Sequence, residues 1–131
     1  MNQDKSLTRL KNVMSNAYAP YSNYYVSAII VTESGNSYVG CNVENASYPE
    51  GQCAEANAIG AMIAAGEKKI KQIYIMSQDK EGASPCGGCR QRIREFSDGK
   101  TLINLCSPEK IVKTCHISDL LPYSFGPEHL S

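Results

Sequence analysis

Two short motifs, Cys53-Ala54-Glu55 and Pro85-Cys86-Gly87-Gly88-Cys89, constrain this chain more than anything else in it, because they make chemical sense only if the fold brings them to one point. One thiolate from the first motif and two from the second supply three ligands for zinc, which takes four in a tetrahedron. A position left open to solvent marks a catalytic site rather than a structural one. Glu55 stands two residues past the first sulfur, close to the metal but outside its ligand set, where a carboxylate can take and return the protons of water.

The expected elements allow that convergence. Leu7, Leu10, Val13, Met14 and Ala17 share one face of a first helix that ends before Ala19-Pro20. Residues 25–32 are rich in β-branched side chains, and Glu33-Ser34-Gly35-Asn36 turns them into a second strand over 37–43, forming an antiparallel hairpin. A polar loop over 45–52 leads to an Ala-rich helix over 53–65, stopped by Gly66. A buried strand follows over 70–77. Ser84-Pro85 reads as the N-cap and first-turn pair of a helix over 86–96, and strands near 101–106 and 110–116 complete the sheet. This order predicts an α/β fold, a three-layer α-β-α sandwich around a mixed sheet of about five strands. Both cysteine motifs then fall at helix starts, where free N–H groups and the positive end of the dipole favour thiolates. The strand between the two helices makes a crossover that lets their N-termini meet at one sheet edge.

Length and charge narrow the class. The 131 residues make one domain, 1–131. Charged residues are 20% of the chain and cancel to net zero, so no overall field draws the protein onto nucleic acid. Residues 1–12 lack the apolar core of a signal peptide, and no apolar run approaches the ~20 residues that span a bilayer. A soluble, cytoplasmic protein without a membrane partner is expected. Six cysteines in such a context are expected as reduced thiols. Cys41, Cys106 and Cys115 read as small core residues; His116, in a strand-like tail, and His129, near the end, read as structural or exposed. A redox reading of Cys86 and Cys89 leaves Cys53 and Glu55 idle. A structural zinc site lacks a fourth Cys or His at a suitable local spacing.

A second stretch, Gly40 to Tyr48, carries Asn42 and Glu44 on one side of a strand end with Val43 on the other. An amide and a carboxylate side by side suit the hydroxyls of a sugar, although spacing alone favours an exposed loop in which the same residues satisfy their own backbone.

Over nearly its whole length the chain resembles the short-chain, homotetrameric cytidine deaminases. The resemblance is carried in order and spacing by Ala19-Pro20-Tyr21-Ser22, Gly40 to Tyr48, Cys53-Ala54-Glu55, Pro85-Cys86-Gly87-Gly88-Cys89-Arg90-Gln91, and Leu120-Leu121-Pro122 with Phe125. The cysteine motifs are the three-cysteine form of the zinc nucleobase-deaminase signature. The resemblance implies a single zinc-dependent deaminase domain, with one Zn²⁺ per subunit on Cys53, Cys86 and Cys89, and hydrolysis of cytidine and 2′-deoxycytidine in pyrimidine salvage. It implies Glu55 as proton shuttle, Asn42 and Glu44 as ribose-binding residues, and Ala54 at the substrate. Tyr24 stands where the family usually has a phenylalanine lining the base pocket. Phe125 matches an aromatic lent to a neighbouring subunit's site, which implies a homotetramer with shared pockets. Deaminases of blasticidin-type antibiotics or of polynucleotides fit less well, because Asn42-Val43-Glu44 is intact and no basic stripe is present. A non-catalytic zinc module would leave Glu55 without a purpose.

One departure bears on charge. Many members carry Arg directly after the catalytic glutamate, where it offsets the thiolates, whereas this chain has Ala56 and then Asn57. Helix N–H groups, assisted by Asn57 or Gln91, are expected to provide that offset instead, and Arg90 is expected to serve subunit packing outside the site.

Overall fold

A computed structural model describes residues 2–130 of the chain. The elements run α1 (Gln3–Met14), β1 (Val26–Thr32), β2 (Ser37–Cys41), α2 (Ala54–Ala64), β3 (Ile70–Ser77), α3 (Gly87–Glu95), β4 (Leu102–Cys106), β5 (Ile111–Cys115) and α4 (Ile117–Leu120), with single 3₁₀ turns at Tyr48–Glu50 and Pro127–Leu130. The five strands form one sheet in the order β2-β1-β3-β4-β5. Only β3 and β4 pair in parallel; the other neighbours are antiparallel, so the sheet is mixed as expected.

Two layers of apolar contact hold the helices to the sheet. Leu7 and Leu10 of α1 pack on Ile29, Val31, Tyr74, Met76 and Cys106 on one face. On the other, Ala54, Ala58, Ile59 and Met62 of α2 and Ile93 of α3 pack on Ala28, Ile30, Ile73, Ile75 and Ile103. Strand β1 therefore lies between two cores, which explains why all but its first residue are buried and why it reads as a continuous apolar run.

Strand direction decides where the helices begin. Both β2 and β3 run antiparallel to β1, so they point the same way. Helix α2 follows β2 and α3 follows β3, and each starts at the same edge of the sheet, beyond the carboxyl ends of these strands, where open α/β sheets bind their ligands. Gly40 sets the depth of α2. A Cβ there would strike the Ala54 carbonyl oxygen and come within 2.5 Å of the Ala58 backbone N, so α2 rests directly on the strand backbone.

Four expectations change. Helix α1 ends at Met14 with Ser15 as C-cap, leaving Ala17 beyond it. Strand β2 ends at Cys41, and Val43 makes only isolated bridges to Tyr18 and Gln52. Helix α3 is N-capped by Cys86 rather than by Ser84-Pro85, because Ser84 Oγ and the Pro85 carbonyl are taken by the Arg90 guanidinium. His116 leaves the strand and becomes the N-cap of α4, its N–H donating to Asp119 Oδ2 at 2.9 Å. Cys106 and Cys115 are buried core thiols and Cys41 is half-buried; all six cysteines are free. No helix among the described residues is long and apolar enough to cross a membrane.

Candidate metal centre

The two helix starts bring the cysteine motifs together. Cys53 is the N-cap of α2 and Cys86 the N-cap of α3, yet neither side chain bonds to its own helix. Both sulfurs are left free to face Cys89, which sits in the first turn of α3. The three Sγ atoms lie within 4.8 Å of one another. A tetrahedron with Zn–S bonds of about 2.3 Å has edges of roughly 3.8 Å, so small side-chain rotations bring all three into zinc's reach. Three soft donors converging on one point are the donor set zinc selects.

Close approach shifts Cys53 and Cys89 in opposite directions. The hydrogen bond from the Cys89 thiol draws Cys53 down to about 6 against the cost of its burial, with help from Cys86 and from the charge of Arg92. Cys89 is pushed the other way, first by donating that bond and then by burial.

Glu55, the second residue of α2, is only 4% exposed. Burial raises its pKa, as does the nearby Cys53; its own backbone N–H, the Cys89 thiol and Arg92 pull it back. A carboxyl group placed this way holds a proton more readily than one in water.

Ala54, Glu55, Cys53 and Cys86 form the floor of a cavity of about 360 Å³ whose wall includes Tyr24, Asn42, Val43, Glu44 and Ser84. That volume falls within the range of small-molecule pockets. Asn42 Oδ1 accepts from Val26 N at 2.9 Å and its Nδ2 donates to the Tyr24 carbonyl at 2.8 Å. The Glu44 carboxylate accepts from Tyr21 N, Ser22 N and Ser22 Oγ, and these bonds, led by the serine hydroxyl, hold its pKa down. Both side chains thus brace the loop over 21–26 while facing the cavity.

Phe125 does not line this cavity; it is 55% exposed and stacks on His129 with ring centroids 5.3 Å apart. Arg94 fixes this tail by bonding Ser124 and Glu128 and by filling the space where a side chain at Gly126 would sit. Arg90 is used within the fold, donating to the Pro85 and Leu120 carbonyls and to Ser84 Oγ, all at 2.8 Å.

The two side chains expected to assist the helix N–H groups are placed elsewhere. Asn57 Nδ2 donates to the Cys41 carbonyl at 2.8 Å and Gln91 Nε2 to the Phe125 carbonyl at 3.0 Å. Arg92 is the side chain that meets a ligand sulfur, with Nη1 3.6 Å from Cys89 Sγ. Its spacing from Cys89, three residues along one helix face, was the available signal. Ser84, on the cavity wall, offered no comparable signal beyond standing two residues before Cys86.

Comparison with known proteins gives a consistent result. A family model described as the cytidine and deoxycytidylate deaminase zinc-binding region matches residues 1–105. The chain is 34% identical over 131 residues to a cytidine deaminase of Sporosarcina psychrophila, covering all of this chain and 96% of that one. It is 33% identical over 126 residues to a cytidine deaminase of Mycoplasma genitalium, covering 95% and 96%. Among solved structures, the cytidine deaminase of Burkholderia pseudomallei superposes with a TM-score of 0.89 at 35% identity, covering 95% of this chain and all of that one. That of Mycobacterium tuberculosis superposes at 0.80 and 31% identity, covering 92% and 94%.

Proposed function

The chain belongs to the cytidine and deoxycytidylate deaminase zinc-binding family, and from that premise we propose that residues 1–131 form one deaminase domain converting cytidine and 2′-deoxycytidine, with water, to uridine and 2′-deoxyuridine plus ammonia. The observation that carries the reading is a buried carboxylate, Glu55, beside three converging thiols at the floor of a nucleoside-sized cavity.

Cys53, Cys86 and Cys89 would hold the zinc, which when bound supplies the Lewis acidity that lets water act as a nucleophile near neutral pH. Glu55 does the proton work. Its carboxylate takes a proton from the attacking water and delivers it to ring N3 as the C4–O bond forms. It then takes the proton of the new hydroxyl and passes it to the departing amine, so that C4–N breaks and ammonia leaves. Burial suits this cycle, since a carboxyl whose pKa lies above the usual range both accepts and returns a proton. A protonated Glu55 grips the hydrated ring more tightly than the flat substrate, which is differential binding of the transition state.

Asn42 and Glu44 have unused capacity facing the cavity: one amide hydrogen and the carboxylate's remaining lone pairs. They bind the ribose hydroxyls common to both nucleosides. Ala54 and Tyr24 bound the base. Phe125, exposed and outside its own cavity, reaches a neighbouring subunit's site in a homotetramer. Zero net charge supports a free nucleoside rather than nucleic acid as substrate, and the family reading assigns the enzyme to cytoplasmic pyrimidine salvage. The test is loss of cytidine absorbance on incubation with zinc-loaded protein, with 2′-deoxycytidine and a cytosine-containing oligonucleotide alongside. Turnover of both nucleosides but not the oligonucleotide is expected. An inert, fully zinc-loaded protein would refute the assignment.

A further inference from the structure

Zn²⁺ on three thiolates gives a site of net charge minus one, and a partly buried site holds such a charge more readily with a compensating group nearby. Helix α2 offers no side chain for this: the residue after Glu55 is Ala56, and the Asn57 amide is committed to the Cys41 carbonyl. The compensation comes from α3. Arg92 Nη1 lies 3.6 Å from Cys89 Sγ, and no carboxylate of the described residues forms an ion pair with the guanidinium. Small residues on both helices make room for it. Ala56 and Gly60, one turn apart on α2, line a cleft together with Cys53 and Arg92. On α3, a Cβ at Gly88 would come within 3.2 Å of Nη1, so the guanidinium lies close over bare backbone.

We propose, resting on the deaminase reading above, that Arg92 is the positioning residue that tunes the metal centre. Its guanidinium holds Cys89 Sγ by a hydrogen bond, withdraws electron density from that sulfur and brings the zinc-loaded site to zero charge. The positive charge absent from α2 at Ala56 is thereby carried by α3. Less donation from sulfur leaves the metal a stronger Lewis acid, so the effect belongs in the chemical step more than in substrate binding.

The test compares wild type, Arg92→Gln, Arg92→Lys and the double variant Arg92→Gln/Ala56→Arg, each loaded with cobalt(II) for spectroscopy and with zinc for kinetics. In Arg92→Gln the sulfur-to-cobalt charge-transfer band moves to lower energy, and kcat falls about 10- to 100-fold, the usual cost of losing a group that bonds a metal ligand, with KM little changed. Lysine keeps both readouts nearer wild type, and arginine at position 56 restores them from the other helix. Should the double variant not fold, the lysine variant decides alone. An unmoved band in Arg92→Gln overturns the inference, whether kcat is retained or falls together with the thermal midpoint, the latter being the mark of a packing role. A wild-type protein that binds cobalt but leaves cytidine intact would instead strike the deaminase reading, which keeps the two failures apart.

Discussion

The two helix starts that build the site are held in different ways. The start of α2 carries one thiol and the acid and is fixed by close packing: Gly40 lets it rest on the strand backbone, Asn57 ties it to Cys41, and Ala54 and Glu55 are buried. The start of α3 carries two thiols and the cation and is fixed by hydrogen bonds from long side chains. Arg90 stitches it to residues 84–85 and to Leu120, while Cys86 and Arg92 remain exposed. The contrast separates two requirements. A proton-transferring carboxyl needs a dry, rigid seat, whereas a metal ligand needs only a sulfur at the right distance and a counter-charge.

Removing one function from each side gives the largest effects. Glu55→Gln should lower turnover by at least the 10²- to 10⁴-fold that acid–base catalysis usually supplies, about 3–5 kcal/mol, with zinc content unchanged by atomic absorption. Cys86→Ala should lose zinc and activity together. Full zinc occupancy in that variant would break the division of labour between the helices.

Next in size is the packing of α2. Gly40→Ala forces a methyl into the Ala54 carbonyl and the Ala58 amide, an overpacking that should cost about 1–3 kcal/mol in urea unfolding and displace Glu55. Arg90→Met on the α3 side should cost roughly 1.5 kcal/mol, the worth of one hydrogen bond from a charged donor, because water can replace part of what is lost. If Arg90→Met proves the more damaging of the two, the contrast between packed and stitched helix starts fails.

The smallest effect concerns the far end of α2. Glu67, just past the Gly66 turn, accepts bonds from Ser34, Tyr38 and Asn36 of the β1–β2 hairpin, and these hold its carboxyl down at about 2. An unfolded glutamate titrates near 4.5, so the ionised folded form is favoured above that pH, and this contribution fades as pH falls toward 2. Glu67→Gln should be slightly less stable than wild type at pH 7 by urea midpoint, with the difference shrinking through that acid window. A constant difference would show that charge is not what Glu67 contributes.

Most of the architecture was legible because period and punctuation agree. The Ala-rich run ended by Gly66, the β-branched strand over 70–77 and the turn at Gly35 each announce their element locally, and the cysteine spacing then requires a common edge. What escaped depends on tertiary partners. Ser84-Pro85 has the chemistry of an N-cap, but the Arg90 guanidinium claims it and a cysteine caps the helix instead. His116 continues a strand pattern until Asp119 closes a helical turn on its N–H. Asn57 and Gln91 stand near the ligands in sequence, yet in the packed fold their amides bond carbonyls and the sulfur contact is left to Arg92. Helix phase could have suggested Arg92; the cleft that receives it, beside Ala56 and Gly60, exists only once the two helices are packed.

The central claim is that three thiolates hold one zinc and leave its last position to solvent beside Glu55. X-ray absorption at the zinc edge of the purified, zinc-loaded protein tests it most directly. The account predicts three sulfurs at about 2.3 Å and one oxygen neighbour per metal, with no outer-shell scattering from an imidazole ring. Four sulfurs, or a shell filled by a histidine or a second carboxylate, would contradict it.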